Sequence, residues 1–159
     1  MSDHDETRRQ FLQTGGCFAL ALAAAGVLSR ELLAQPITTI TGTTSGQERT
    51  YPVPAADGIS IDRVEQVILV RSQNRAFAFN LSCPHQNAAV RWVENDHRFQ
   101  CTKHDSKYQP DGVYTSGRAT RNMDRFPIRR NGASLVVNLD RLIQSDVDAA
   151  GWAAAVVAL

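Results

Sequence analysis

Two short segments constrain this chain more than anything else in it: Cys83-Pro84-His85 and Cys101-Thr102-Lys103-His104. Each pairs a thiol with an imidazole, and fifteen residues separate His85 from Cys101. Thiolate and imidazole are the donors of soft and borderline transition metals. Four such donors can serve one site only if the fold brings both segments together. Strand-like stretches precede each of them, 76–81 before the first and 98–100 before the second. The spacing therefore predicts two loops at strand ends, closing like fingers on one metal site.

The rest of the chain reads as strands and turns. Val67-Ile68-Leu69-Val70 is a continuous apolar run of the kind found in a buried strand. Gln73-Asn74-Arg75 makes a turn, and 76–79 is expected to pair back as a hairpin. A second hairpin is expected from 126–129 and 135–137 around Asn131-Gly132, because a type I′ turn needs positive φ at both central residues. Pro110-Asp111-Gly112 marks another turn. Between Gln47 and Leu139 there is no helix-length periodicity, so the expected fold class is all-β and antiparallel. Residues 37–47 read as a linker or an irregular first strand. The Ala-rich end around Trp152 reads as a short helix or strand packed on the domain. Its 159 residues allow one domain with a terminal appendage. A net charge of +1 with no basic stripe excludes nucleic acid as a partner. Three cysteines are too few, and odd in number, for a disulfide framework.

The donor set admits two chemistries. In a [2Fe–2S] cluster each iron needs two protein ligands besides its sulfides, and two histidines can replace two cysteines on one iron, placing the potential at roughly −150 to +300 mV. Cys83 and Cys101 would then take one iron, and His85 and His104 the other. A structural zinc site is the alternative, since zinc accepts the same donors. Common zinc patterns pair like with like, however, as C-x₂₋₄-C and H-x₃₋₅-H. No nucleophile–base constellation or phosphate loop accompanies the four donors, so the chain is not expected to be an enzyme by itself.

Cys83-x-His85, fifteen residues, then Cys101-x-x-His104 resembles the motif of the Rieske iron–sulfur family, with the likeness running over about residues 50–139. The resemblance implies an antiparallel β-sandwich with a small cluster-binding subdomain formed by two loops, and one [2Fe–2S] cofactor. Ser106 and Tyr108, two and four residues past His104, match the branch found in quinol-oxidising cytochrome bc complexes. There the serine donates to a bridging sulfide and the tyrosine to a ligand cysteine, and such donors raise the potential. The chain also departs from that branch. Where its members carry two further cysteines joined in a disulfide, this sequence has Ala88 and Lys103, and Gly117-Arg118-Ala119 stands where a proline-containing segment usually covers the cluster. Five arginines between 118 and 130 read as solvated positions, with a docking face for an acidic redox partner as the alternative.

The N-terminus is read separately. Thr7-Arg8-Arg9-Gln10-Phe11-Leu12 followed by an apolar run resembles a twin-arginine export signal. Residues 11–29 approach the roughly 20 residues needed to span a bilayer, so an uncleaved anchor is the preferred reading. Cys17 reads as a small apolar residue. The expected organisation is a signal or anchor helix at 1–35, a linker at 36–49, the [2Fe–2S] domain at 50–145 and a tail at 146–159. The expected location is the periplasm, free or anchored on the periplasmic side of the membrane. The leading functional reading is the iron–sulfur subunit of a membrane quinol:cytochrome c reductase-like complex. Its partners would be a b-type cytochrome, a c-type acceptor and quinol. The alternatives are the small subunit of an exported, arsenite-oxidase-like oxidoreductase beside a large catalytic subunit, and a stand-alone ferredoxin.

Overall fold

The computed structural model describes residues 37–159. The readings of the arginine pair, the apolar run, Cys17 and the anchor helix fall on residues 1–36 and lie outside the described residues.

Strands dominate. A central sheet takes β1 (Ile37–Thr39), β4 (Gly58–Asp62), β5 (Val67–Ser72), β6 (Arg75–Asn80) and β13 (Val157–Ala158) in that spatial order. A second sheet runs β11 (Ile128–Asn131), β12 (Ser134–Asn138), β3 (Glu48–Pro52), β2 (Thr43–Ser45). A third runs β10 (Tyr114–Ser116), β9 (Lys107–Tyr108), β8 (Arg98–Cys101), β7 (Val90–Val93). All pairings are antiparallel except β1 with β4. Among the described residues the only α-helix is α1 (Ala149–Ala154), and none is long and apolar enough to cross a membrane.

The apolar run in β5 has a physical explanation in this arrangement. Side chains alternate across a strand. Val67 and Leu69 therefore face one way, joining Ala76 and Ala78 of β6 against Tyr51, Leu135 and Val137 of the second sheet. Ile68 and Val70 face the other way, with Phe77 and Phe79 against Trp92, Phe99 and Tyr108 of the third. A strand covered on both faces has no polar side to show, so it reads as continuous rather than alternating. The two faces differ in size. Alanines of β6 meet the second sheet, and phenylalanines fill the deeper space toward the third.

The hairpin turns correct one expectation. Asn131 pairs with Ser134, so the loop between β11 and β12 is Gly132-Ala133. Only Gly132 has positive φ there, at 59°, and a type I′ turn needs two such residues. The turn with two is the other one: Gln73 and Asn74, at 51° and 58°, close β5 onto β6. Asn131-Gly132 has the right composition, but the alternation of Leu135 and Val137 into the core sets the register one residue later.

Two buried polar groups fasten the sheets. Asp62, 1% exposed, accepts from Tyr51 Oη at 3.1 Å, Gly42 N at 3.3 Å, Val64 N at 3.0 Å and Glu65 N at 3.1 Å. It thereby closes the turn after β4 and ties β4 to β3. Arg125, 3% exposed, fastens the C-terminal segment. Its backbone bridges to Phe79 and to Ile143. Its Nη1 donates to Trp152 O and its Nη2 to Asp111 O, both at 2.7 Å. The guanidinium lies 3.6 Å from the centroid of Trp152 and 4.8 Å from that of Phe77, a cation–π cage. The expected tail is thus both helix and strand: α1 packs through Trp152, and β13 adds to the edge of β6.

Candidate metal centre

Both donor segments are loops that leave one strand and return within a few residues. After β6, Asn80 Oδ1 accepts from Ser82 N at 2.9 Å, and Ser82 bridges to Ala89. Inside that loop Cys83 N donates to Ala88 O at 2.7 Å and Asn87 N to Cys83 O at 3.0 Å. Cys101 is the last residue of β8, and its N–H reaches across the second loop to Ser106 O at 2.8 Å. Asp105 completes this turn at φ 62°, a left-handed conformation that Asp tolerates better than most residues. The β7–β8 register sets Val90 opposite Cys101, which brings the two loops side by side.

All four predicted donors come together at this end. Cys83 and Cys101 are free thiols, 0% and 2% exposed. The rings of His85 and His104 meet edge to face, with centroids 4.9 Å apart and planes at 90°. The Nδ1 atoms of both rings are buried and have no hydrogen-bond partner. A buried unpaired ring nitrogen costs free energy unless something else satisfies it, and a metal does. No three His, Cys, Asp or Glu side chains among the described residues converge on a single ion position. A two-iron cluster makes a different demand, two protein ligands at each iron, and a thiol pair beside an imidazole pair fits it.

The surroundings are electrostatically biased. Burial raises the Cys83 thiol, and the Tyr108 hydroxyl acts in the opposite direction. Loss of hydration lowers the proton affinity of His104, and the neighbouring charges of His85, Lys103 and Arg118 lower it further. Tyr108 Oη lies 3.2 Å from Cys83 Sγ. Burial and that sulfur both hold the phenol proton above its ordinary range, so Tyr108 is available as a donor at any physiological pH. It belongs to a cross-strand aromatic row, Trp92, Phe99, Tyr108 and Tyr114 in register over four strands. Ser106 is fully buried, and its Oγ accepts from Arg118 N at 3.1 Å and Ala119 N at 3.0 Å.

The sequence model of the Rieske [2Fe–2S] domain matches residues 47–127, just over half the chain. The chain belongs to the Rieske family. It is an electron-transfer protein of the [2Fe–2S] type. Among solved structures, the plasma membrane Rieske protein PetC3 of the cyanobacterium Synechocystis PCC 6803 is similar at 20% identity, covering 57% of this chain and 85% of that one, with a TM-score of 0.41. No curated protein matches significantly.

This Rieske protein contains two features that sequence reading missed. The first joins the loops. Thr102 N and Thr102 Oγ1 both donate to Ala89 O, at 3.0 and 2.9 Å. These residues neighbour Ala88 and Lys103, so a threonine tether stands next to the positions where the resembled branch has its disulfide. Nothing in the spacing signals it, because it depends on the β7–β8 register. The second is the approach of 117–119 to Ser106. A Cβ on Gly117 would lie 2.4 Å from Ser106 Cα, and its φ is 110°, so only glycine fits. That glycine was the available signal. The arginine run, by contrast, is not one face. Arg121 pairs with Asp124 at 2.9 Å, Arg129 with Glu48 at 2.9 Å, and Arg125 is buried. Only Arg118 stands beside the donor loops, exposed like Lys103. His97 is exposed at φ 46°, the end of a 3₁₀ turn, as its polar surroundings imply.

Proposed function

We propose that Cys83 and Cys101 hold one iron of the cluster and that Nδ1 of His85 and Nδ1 of His104 hold the other. We further propose that the protein is the iron–sulfur subunit of a membrane quinol:cytochrome c reductase-like complex. The observation that carries the ligand set is the pair of buried, unpartnered Nδ1 atoms beside two buried free thiols. When bound, the cluster supplies one-electron chemistry at a potential raised by its neutral histidine ligands. The chain's own residues do the rest. Tyr108 donates toward Cys83 Sγ, which stabilises negative charge on that sulfur. Ser106 supplies a second hydroxyl at the same end. The ring nitrogens of His85 and His104 not used as ligands are left to hold a proton or to hydrogen-bond a quinol or acceptor. Their proton affinity falls when positive charge nearby increases, which couples proton to electron.

Ser106 and Tyr108 support the quinol-oxidising reading, with a b-type cytochrome and a c-type acceptor as partners. The twin-arginine resemblance and the apolar run within 1–35 support export and anchoring on the periplasmic side, ahead of a [2Fe–2S] domain in which we include β1 to β3 and the C-terminal α1 and β13. A second reading, the small subunit of an exported arsenite-oxidase-like oxidoreductase, is favoured by Ala88 and Lys103 in place of a loop disulfide.

The test is low-temperature EPR of the reduced full-length protein, with iron, sulfide and zinc assayed on the same sample. About two irons per chain with a Rieske spectrum is expected; stoichiometric zinc without iron or sulfide overturns the ligand assignment. In native membranes a quinol-site inhibitor should shift the spectrum. Recovery with a large molybdenum-containing subunit, and no response to the inhibitor, favours the second reading.

A further inference from the structure

The charges of the third sheet are sorted by position. Side chains alternate across a strand. With Trp92, Phe99 and Tyr108 turned into the core, the neighbouring row of Arg91, Gln100 and Lys107, paired in that order, faces outward. Arg91 and Lys107 therefore lie two strand spacings apart on the outer face, about 10 Å. Both stand at the loop end of the sheet. Arg91 follows Val90, the partner of Cys101, and Lys107 begins β9 as the second donor loop ends.

Two further cations stand on the loops themselves. Lys103 directly precedes His104 and is exposed. Arg118 is exposed as well, and its backbone is held against the second donor loop by the bond from its N to Ser106 Oγ at 3.1 Å. None of these four cations has an ion pair among the described residues. Against them the second loop sets one carboxylate, Asp105, which accepts from Gln100 Nε2. Glu94 and Asp96 lie at the opposite end of the β7–β8 hairpin, where Asp96 pairs with Arg98 at 2.6 Å. Asp111 lies in the turn between β9 and β10, again away from the donor loops.

We propose that Arg91, Lys103, Lys107 and Arg118 form a docking rim beside the edge presented by His85 and His104, and that its occupant is a carboxylate-rich face of a redox protein. The proposal rests on the assignment of His85 and His104 as ligands, which makes their edge the way out for an electron. Fixed cations beside that edge raise the local concentration of an acidic partner and repel a basic one. The rim thus selects the acceptor by the sign of its surface. An anionic lipid surface is attracted by the same charges, but it takes no electron and so gives no reason for cations to gather at the histidine edge.

The experiment uses the full-length holoprotein with poly-L-glutamate as the acidic probe. Binding is followed by titration calorimetry, and access to the histidine edge by the rate at which the reduced protein gives one electron to hexacyanoferrate(III). Poly-L-glutamate should bind and should slow that transfer. Lys103→Glu combined with Arg118→Glu should weaken binding by roughly tenfold or more at low salt. Hexacyanoferrate(III) is itself an anion, so its reaction should slow with added salt in the wild type and lose that dependence in the double variant. Arg75→Glu combined with Arg130→Glu makes the same change in net charge at the far end of β6 and in β11, and should leave both measurements near wild type. Equal losses in the two pairs, or undiminished binding in the loop pair, overturn the rim, while a Rieske spectrum keeps the ligand assignment. A wild type without that spectrum removes the assignment and the rim with it. Should the loop pair lose its cluster, Arg91→Glu with Lys107→Glu tests the same rim from the sheet: weakened binding supports it and unchanged binding overturns it. Lost affinity for phosphatidylglycerol vesicles without any loss for poly-L-glutamate assigns the cations to a lipid surface and overturns the protein partner.

Discussion

The loop end of the molecule and the Arg125 end both bury polar groups, but they satisfy them differently. Around Arg125 the chain supplies nearly everything itself: two carbonyls for the Nη atoms and three aromatic rings for the plane, with only Nε left over. At the loop end turns such as Cys83 N to Ala88 O and Cys101 N to Ser106 O shape the backbone, yet two thiols and two Nδ1 atoms have no partner within the protein beyond Tyr108. Arg125 closes a structural joint. The loops hold a set of donors that the protein itself leaves unpaired. A buried polar group is thus informative about function through what it lacks, and about stability through what it has.

The comparison can be broken most decisively at the donors. Cys101→Ser should abolish the Rieske EPR signal and bring bound iron down to background, while the sheets persist by far-UV circular dichroism. Retention of a full iron complement would mean that the loop end is as self-sufficient as the Arg125 end. Next in size is Arg125→Met. Leaving Trp152 O and Asp111 O unpaired and opening the ring cage should cost about 3 kcal/mol in chemical unfolding, with the EPR spectrum of the folded fraction unchanged. A variant that keeps its stability and shifts the spectrum would reverse the roles assigned to the two ends.

A smaller effect is expected from Thr102→Val, which deletes Oγ1 but keeps the backbone N–H to Ala89 O. About 1 kcal/mol of loop stability should be lost, visible as faster release of iron to a chelator with little change in global unfolding. Tyr108→Phe should lower the midpoint potential while altering stability by less than about 1 kcal/mol. The smallest effect is one of pH. Burial brings Arg125 down to about 10 from 12.5. A cation with a depressed folded pKa destabilises at all pH values below the folded pKa, and that cost is relieved only as pH rises through it, because there the unfolded state binds more protons. Between about pH 6 and 8 both states hold the proton, so the stability gap between wild type and Arg125→Met should be flat. A slope in that range would assign the joint to a different titrating group.

Much of the loop end was legible in the sequence because metal ligation restricts residue type and spacing together. Cys83, His85, Cys101 and His104 could be named as a set, and strand character before each segment placed them on loops. The β5–β6 hairpin was legible for a similar reason, since apolar residues flank a polar break at Gln73-Asn74. Less could be read where the meaning of a residue depends on what lies across the fold. Arg125 looks like its neighbours Arg121 and Arg129 in a list of basic residues, and nothing local says that Trp152 and Asp111 will converge on it. Asp62 looks like a turn residue, which it is, but its contact with Tyr51 Oη comes from the packing of β4 near β3.

By itself the sequence determined the candidate donor set, the strand-rich class and the positions of the two hairpin turns to within a residue, because these rest on side-chain type and short-range pattern. Tertiary structure alone decided that β5 and β6 are covered on both faces, that the second hairpin turns at Gly132-Ala133, and that Thr102 joins the loops. It also decided that the amides of 118 and 119 meet Ser106. The physical reason is the same in each case. Register and close approach are set by which faces must be buried, and that is a property of the whole fold, not of any one segment.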